Sequence, residues 1–103
     1  MPVKKEAQDA LKRSKKIKSV FKIPVRETVL QYSGSIEIPW HILKTSGLLP
    51  GEKITVYNRT SGAVFETYII DSRRRTNGVR LFGPAARLGQ AGDILDLVVY
   101  AMS

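Results

Sequence analysis

The chain has 103 residues and no cysteine, and its 17 basic and 9 acidic side chains give a formal net charge of +8 at pH 7. This length suits one domain with a modest core, and the absence of cysteine excludes disulfides, thiolate catalysis and thiolate metal sites. The single histidine, His41, excludes a histidine-rich metal cluster, and we expect it to cap or pack a helix, with no metal bound. No apolar run is long enough for a signal peptide or a membrane span, so a cytoplasmic protein is expected.

Most of the positive charge lies near the N-terminus. Residues 1–26 contain nine Lys or Arg and two acidic residues, whereas residues 27–103 contain eight and seven. Residues 6–18 combine helix formers with few apolar residues, which indicates a frayed helix or a solvated tail. We therefore expect residues 1–18 to form a basic extension that aids solubility. Contact with nucleic acid or a membrane is the alternative, and neither is expected as a partner.

Short strands and turns follow from Ser19 onward. Strand-like alternation occurs in five segments, namely 19–25, 29–39, 53–70, 79–83 and 94–102. Residues 53–70 predict a hairpin around Thr60-Ser61-Gly62, and residues 41–47 predict one or two helical turns that end at Gly47. Another helical turn is expected within 84–93. Many short strands with little helix predict a mainly β fold, a small β-barrel that comprises residues 19–103.

The stretch Ser33-Gly34-Ser35 interrupts one of these predicted strands. Its composition is typical of a turn, although Ile36, Ile38 and Trp40 alternate with Glu37 and Pro39 directly after it. A glycine within a strand usually marks a bulge or a close approach of two backbones. The stretch therefore needs an explanation beyond strand geometry.

One resemblance covers residues 34–57, about a quarter of the chain. There the order of a strand with Ile-Pro, a short helix, Gly-x-x-Pro-Gly-Glu and a second strand resembles the swapped-hairpin DNA-binding proteins of the AbrB type. This resemblance implies a non-enzymatic regulator that would use the basic extension. An uncleaved, inactive barrel is a further non-enzymatic alternative.

A second resemblance covers the chain from Ser19 onward without gaps. Four short motifs occur in order: Tyr32-x-Gly34-Ser35, Asn58-x-Thr60-x-Gly62, Phe65-x-Thr67-Tyr68, and Gly83-Pro84-Ala85 followed by Gly92-Asp93. With the apolar strand that closes the chain, they resemble the aspartate 1-decarboxylase family, small enzymes that depend on a covalent pyruvoyl group. The resemblance implies a double-psi β-barrel that assembles as a homotetramer.

The same resemblance implies that the chain cuts itself between Gly34 and Ser35. The Ser35 hydroxyl would attack the Gly34 carbonyl, and residue 35 would become the pyruvoyl cofactor that forms a Schiff base with the substrate. We expect glycine at position 34 because it allows backbone conformations that a Cβ would forbid. The activity implied is decarboxylation of aspartate to β-alanine and carbon dioxide, a step of pantothenate biosynthesis.

Further residues take roles by the same resemblance. Tyr68 matches the family's proton donor, and a phenol is a suitable general acid if it is held in place. Thr67 matches a residue that contacts the substrate and helps self-processing. Gly83, Pro84 and Ala85 match a loop that lines the substrate pocket.

The chain departs from the family where the substrate carboxylates would bind. Val64 stands at the position of a carboxylate-binding arginine, and Ser19 stands at the position of a lysine. Phe82 replaces an asparagine of the pocket, and Phe21 replaces a histidine. We therefore expect Val64 and Phe82 to contact the substrate, and a less acidic or more apolar amino acid is the alternative substrate. Basic side chains that could restore the lost charge are Lys18, Arg73, Arg74, Arg75 and Arg80.

Overall fold

The computed structural model describes residues 17–31, 33–72 and 74–100. In chain order the strands of this part are β1 (Ile17–Val29), β2 (Ser35–Pro39), β3 (Lys53–Asn58), β4 (Val64–Ser72), β5 (Val79–Phe82) and β6 (Ile94–Tyr100). Helix α1 (Trp40–Ser46) connects β2 to β3, and a 3₁₀ helix (Gly83–Arg87) follows β5. The predicted extension up to residue 16 lies outside the described residues, as do Tyr32 and Arg73.

The strands close into one barrel in the order β1-β5-β2-β4-β3-β6, with β6 returning to β1. Two pairs are parallel, β1 with β5 and β2 with β4, and the other pairs are antiparallel. This architecture confirms the predicted mainly β barrel with short helical turns and is consistent with a small double-psi barrel. Among the residues described, no helix is both long and apolar enough to cross a bilayer.

Alternating side chains of the strands fill the barrel interior. Ile36 and Ile38 of β2 and Val79 and Leu81 of β5 are completely buried. Burying each such side chain is worth roughly 1.5–3 kcal/mol. Because successive strand residues point to opposite faces, the intervening positions of these strands face the outer side of the barrel.

The first part of the chain differs from the prediction of strands at 19–25 and 29–39. β1 instead runs through to Val29, and β2 begins only at Ser35. The pairing register of β1 shifts between Val20 and Ile23 and again between Val25 and Glu27, which resets the alternation of its side chains. Ile17 and Lys18, assigned from the sequence to the extension, are part of this strand. The Ser33-Gly34 turn therefore separates two strands instead of interrupting one.

The predicted hairpin is confirmed as β3 and β4, and Asn58 organises its loop. The Asn58 side-chain oxygen accepts hydrogen bonds from the backbone N–H groups of Thr60 and Ser61 at 3.0 Å each. Its amide nitrogen donates to Asp93 Oδ2 at 2.9 Å and to the Leu88 carbonyl at 3.1 Å. The Asn-x-Thr-x-Gly motif thus joins the hairpin loop to the segment before β6.

Helix α1 ends as predicted at Gly47, which has a left-handed φ of 78° and donates its N–H to the Leu43 carbonyl. His41 lies in the first turn of this helix, but Pro39 occupies the N-cap, and no side chain caps it. The His41 ring packs edge-on against Trp40, with ring centroids 6.2 Å apart. Of the two roles expected for His41, the structure shows packing.

Candidate functional site

The Gly34–Ser35 peptide bond lies at the start of β2. Ser35 is the first residue of β2, and it is only 4% exposed. Its hydroxyl donates to the Ser33 carbonyl at 3.4 Å, the long end of the range for a hydrogen bond. On one side of β2, Ser35 is paired with Phe82 of β5. The serine is therefore held in place by strand pairing while its hydroxyl is only weakly engaged.

Gly34 lies close to Pro84 and does not have a positive φ. The described glycines with positive φ are Gly47, Gly51, Gly62, Gly83 and Gly92, so Gly34 does not adopt the left-handed conformation. The expected conformational freedom of glycine at position 34 therefore does not take the form of a positive φ. A Cβ added to Gly34 would lie 3.3 Å from Cδ of Pro84, closer than an ordinary van der Waals contact. Glycine allows the turn before β2 to approach the 3₁₀ helix.

A pocket of about 240 Å³ lies beside this junction. Its lining comes from three parts of the chain: Gly34; Phe65, Glu66, Thr67 and Tyr68 of β4; and Pro84, Ala85 and Leu88. The structure therefore brings together five residues singled out from the sequence, namely Gly34, Thr67, Tyr68, Pro84 and Ala85. Pockets for drug-sized ligands span about 300–1,000 Å³, so this one suits a smaller molecule such as an amino acid.

Thr67 and Tyr68 contribute to this pocket from opposite faces of β4. Thr67 is 7% exposed and points into the barrel, whereas Tyr68 is 55% exposed on the outer face. Val64 is on the same face as Tyr68, and it is 60% exposed. The Tyr68 side chain is thus accessible at the mouth of the pocket.

Several predicted substrate contacts lie outside the lining of this pocket. Val64 is on the outer surface of β4, and Phe21 is exposed on β1. Phe82 is buried, and the Arg80 guanidinium lies 5.1 Å from the centre of its ring. Gly83 is buried at the start of the 3₁₀ helix, with a φ of 62°. Val64, Phe82 and Phe21 are thus not among the described residues that line the pocket beside Gly34, and contact of Val64 and Phe82 with the substrate stays a prediction.

The apolar part of the lining comes instead from residues that motif reasoning left without a role. Phe65 and Leu88 contribute it together with Pro84 and Ala85. Glu66 was also missed, because a charged residue between Phe65 and Thr67 matches the ordinary alternation of a half-buried strand. A signal for Leu88 was its position between Gly83-Pro84-Ala85 and Gly92-Asp93, the two parts of the fourth motif.

Lys18, Arg75 and Arg80, three of the basic residues proposed to replace the lost carboxylate-binding groups, have partners elsewhere. Lys18 Nζ donates to both carboxylate oxygens of Glu52, at 2.7 and 2.8 Å. The Arg75 guanidinium lies 5.7 Å from the centre of the Trp40 ring. No basic side chain is among the described residues that line the pocket beside Gly34. These two residues therefore do not supply the missing positive charge there.

Of these three basic residues, Arg80 donates the most hydrogen bonds. Its Nε and Nη2 donate to the two carboxylate oxygens of Glu37 at 2.9 and 2.8 Å, and its Nη1 donates to Glu27 at 3.4 Å. With Arg26, Arg74 and Thr76, these three residues line a second cavity of about 190 Å³.

The same contacts shift the pKa of Glu37 and of Arg80. Burial alone raises the pKa of Glu37, but hydrogen bonds from Arg80 and Ser72 and the charges of Arg80 and Arg74 lower it below its ordinary value. The hydrogen bond to Glu37 likewise raises the pKa of Arg80. Both groups therefore stay ionised at neutral pH.

The fold and this site define a small six-stranded barrel with a Gly-Ser junction beside an amino-acid-sized pocket. Residues 12–103 match the family model described as aspartate decarboxylase. The chain belongs to this family. The match begins at residue 12, so it includes part of the predicted basic extension.

Curated relatives named aspartate 1-decarboxylase agree with this membership. The protein of Desulfotalea psychrophila is 45% identical over 73 residues, which are 71% of this chain and 61% of the relative. That of Geobacillus sp. is 46% identical over 78 residues, 76% of this chain and 61% of the relative. That of Pelotomaculum thermopropionicum is 40% identical over 83 residues, 81% of this chain and 63% of the relative. The aligned part of the chain thus spans about three fifths of the length of these relatives.

Proposed function

We propose that this protein is a pyruvoyl-dependent amino-acid α-decarboxylase that forms its own cofactor by cutting the chain between Gly34 and Ser35. One observation carries the proposal. Gly34 lines a pocket that also contains Thr67 and Tyr68, and the buried Ser35 follows it directly. The bond to be cut, the proposed proton donor and the space for a substrate thus adjoin one another.

The residues at this junction fit the self-cleavage reaction. Attack of the Ser35 oxygen on the Gly34 carbonyl carbon would break the peptide C–N bond and form an ester, with the released nitrogen taking up a proton. The hydroxyl gives up only one long hydrogen bond, to the Ser33 carbonyl. Loss of the Ser35 α-proton would then expel the Gly34 carboxylate, and hydrolysis that releases the nitrogen of residue 35 as ammonia would leave the pyruvoyl group there.

Residue 35 is also suitably placed to carry a covalent cofactor. It is fixed by pairing with β5, and the residue before it borders the pocket. The pyruvoyl group would supply an electron sink for the pair that stays on the substrate carbon when carbon dioxide leaves. Tyr68 would return a proton to the substrate carbon, and Thr67 would support the substrate from the barrel side. Pro84 and Ala85 line the pocket beside Gly34.

Two substrates are compatible with the family. The curated relatives are named for aspartate, which is therefore the first candidate. The alternative is a less acidic or apolar amino acid, and the described lining favours it because no basic side chain contributes. Each charge-assisted hydrogen bond lost from a carboxylate weakens binding by roughly 1.5–3 kcal/mol. Assembly as a homotetramer and a cytoplasmic location stay predictions from the resemblance.

The AbrB-type alternative gains no support from the described fold. Residues 34–57 include β2, α1 and β3. β2 lies between β4 and β5 of the same closed barrel, which accounts for its pairing within one chain. The swapped hairpin of a DNA-binding dimer is therefore not required to explain this stretch.

Intact mass of the purified protein tests the proposal. We expect two pieces of 34 and 69 residues, and Ser35→Ala should leave a single chain of 103 residues because it lacks the attacking oxygen. Ser33→Ala is the matched control, since it removes a hydroxyl two residues away and should still be cut. A wild-type chain that stays whole after prolonged warming would contradict the decarboxylase function.

A further inference from the structure

The second cavity, of about 190 Å³, lies on the outer side of the barrel where β1, β5 and β2 are adjacent. Three basic residues, two acidic residues and one threonine line it: Arg26, Glu27, Glu37, Arg74, Thr76 and Arg80. The proposed decarboxylase reaction requires none of them. We propose that this cavity binds a small phosphate monoester, whose phosphate group is held by Arg26 and Arg74.

The charges around the cavity leave a positive excess at Arg26 and Arg74. Arg80 donates to both carboxylate oxygens of Glu37, at 2.9 and 2.8 Å, so these two side chains neutralise each other. Within the described part of the chain, no carboxylate forms an ion pair with the guanidinium of Arg26 or Arg74. Glu27 is the remaining acidic side chain. It is 51% exposed and lies 3.4 Å from Arg80 Nη1, so two arginines face one loosely held carboxylate.

The Arg26 side chain packs on Gly78, the residue before β5. A Cβ added to Gly78 would overlap Cγ of Arg26 and would lie 2.9 Å from its Cδ and 2.5 Å from the Pro24 carbonyl oxygen. Gly78 is buried, and its φ is not positive. The absent Cβ thus leaves the space that the stem of Arg26 occupies, and this packing fixes the course of the side chain beside the cavity.

Side-chain hydrogen bonds hold the loop that carries Arg74. The Arg74 backbone N–H donates to the Ser72 hydroxyl at 3.1 Å, and Ser72 is buried at the end of β4. At the other end of the loop, the Thr76 hydroxyl donates to the Gly78 carbonyl at 2.9 Å. The Thr76 proton is therefore already used. Among the lining side chains, the donors left for a ligand belong mainly to the guanidinium groups of Arg26 and Arg74.

A phosphate group suits these donors. Guanidinium groups donate in pairs to phosphate oxygens, and arginine is well matched to this geometry. A phosphate monoester carries a charge of about −1.5 to −2 at pH 7, so it gains from both arginines more than a monocarboxylate does. The cavity is smaller than the about 300–1,000 Å³ of drug-sized sites, so the rest of the ligand must be small. Glu27 opposes any anion, but its exposed side chain can turn toward solvent.

Titration of the whole chain with inorganic phosphate and with glycerol 3-phosphate, followed by amide NMR spectra at fixed salt concentration, tests this site. We expect saturable shifts of the Thr76 and Gly78 signals with both probes. Arg26→Gln should weaken binding about tenfold or more, because a charge-assisted hydrogen bond is lost. Glu27→Gln should tighten binding, because it removes the opposing charge. Arg87→Gln is the matched control, since it removes the same charge outside this cavity and should leave the dissociation constant unchanged.

The amide spectrum of each variant also shows whether it is folded. Arg74→Gln should weaken binding as Arg26→Gln does, and it replaces that variant if Arg26→Gln does not fold. No saturable shift, or equal affinity in the wild type and the folded variant, would overturn the inference. Equal weakening by Arg87→Gln would show attraction to net charge alone. Acetate that binds as tightly as glycerol 3-phosphate would exclude phosphate selectivity, and binding of inorganic phosphate alone would overturn the monoester. The test does not depend on cleavage of the chain.

Discussion

Two neighbouring positions on the outer side of β2 and β5 differ in the charged groups that surround them. Ser35, paired with Phe82, adjoins a pocket whose described lining has one carboxylate and no basic group. Two residues farther along β2, Glu37 is paired with Arg80, whose guanidinium donates to two carboxylates. The sequence contains several arginines that could replace the family's carboxylate-binding groups, but Arg80 already has partners. Proximity of a positive residue to Ser35 in the sheet therefore does not make it available to a substrate.

The comparison indicates which residues govern chemistry and which govern stability. Near the pocket, the Tyr68 side chain is accessible, and the effect of changing it should appear in turnover. The Glu37 and Arg80 side chains are largely buried and form a bidentate ion pair. The effect of substituting either one should therefore appear in the free energy of unfolding. Substitutions in the two regions can test this division.

The largest effect is expected for Tyr68→Phe in a protein that still cuts itself. Loss of the phenol proton should lower decarboxylation by roughly 10²–10⁴-fold, the usual contribution of a positioned general acid. Tyr100→Phe is the control, because its hydroxyl contacts that of Tyr57 and not the pocket. Carbon dioxide release, measured after intact mass confirms cleavage, checks the prediction. Normal turnover by Tyr68→Phe would exclude this residue as the proton donor.

A smaller effect is expected for Val64→Arg, which adds a positive charge to the outer face of β4 near the pocket. The new guanidinium would share the outer face of β4 with Glu66 and Tyr68, at a position already exposed to solvent. One charge-assisted hydrogen bond to a substrate carboxylate should raise kcat/KM for aspartate relative to the uncharged amino acid norleucine by about tenfold or more. Val64→Leu keeps an apolar side chain there and should leave kcat/KM for both substrates unchanged. An equal change of kcat/KM in both variants would show that the charge of the new arginine is not the cause of the change.

The smallest effect is expected for Glu37→Gln, which breaks the ion pair of the second region. We expect a loss of about 1 kcal/mol in the free energy of unfolding at pH 7. Because folding lowers the pKa of Glu37, its contribution is present above the ordinary value of 4.5 and is lost as the pH falls through the folded value. Urea unfolding should therefore show the gap between wild type and variant narrowing below pH 4.5. Asp71→Asn, at an exposed carboxylate, is the control, and a gap that stays constant with pH would contradict the assignment.

Local features of this fold were predictable from the sequence, whereas long-range ones were not. The hairpin β3–β4 and the end of α1 at Gly47 depend on nearby residues, so turn chemistry sufficed. The extent of β1 depends on pairing with β5 and β6, far along the chain, and its register shifts hide the alternation.

The candidate site divides in the same way. The resemblance identified the motif residues of the pocket, but Glu66 reads as an ordinary exposed strand residue. Only the approach of Leu88 and Pro84 to β4 makes it part of the lining. Lys18 could not be dismissed from the sequence either, because its partner Glu52 is 34 positions away.

The closure of the barrel has a consequence for a chain that is cut after Gly34. The shorter piece would contain β1, which is hydrogen-bonded to β5 on one side and β6 on the other, both in the longer piece. The two products would therefore remain an interlocked heterodimer, and neither could leave without opening both ladders. The shorter piece would act as a strand that completes the fold of its partner, as in a split protein reassembled by fragment complementation.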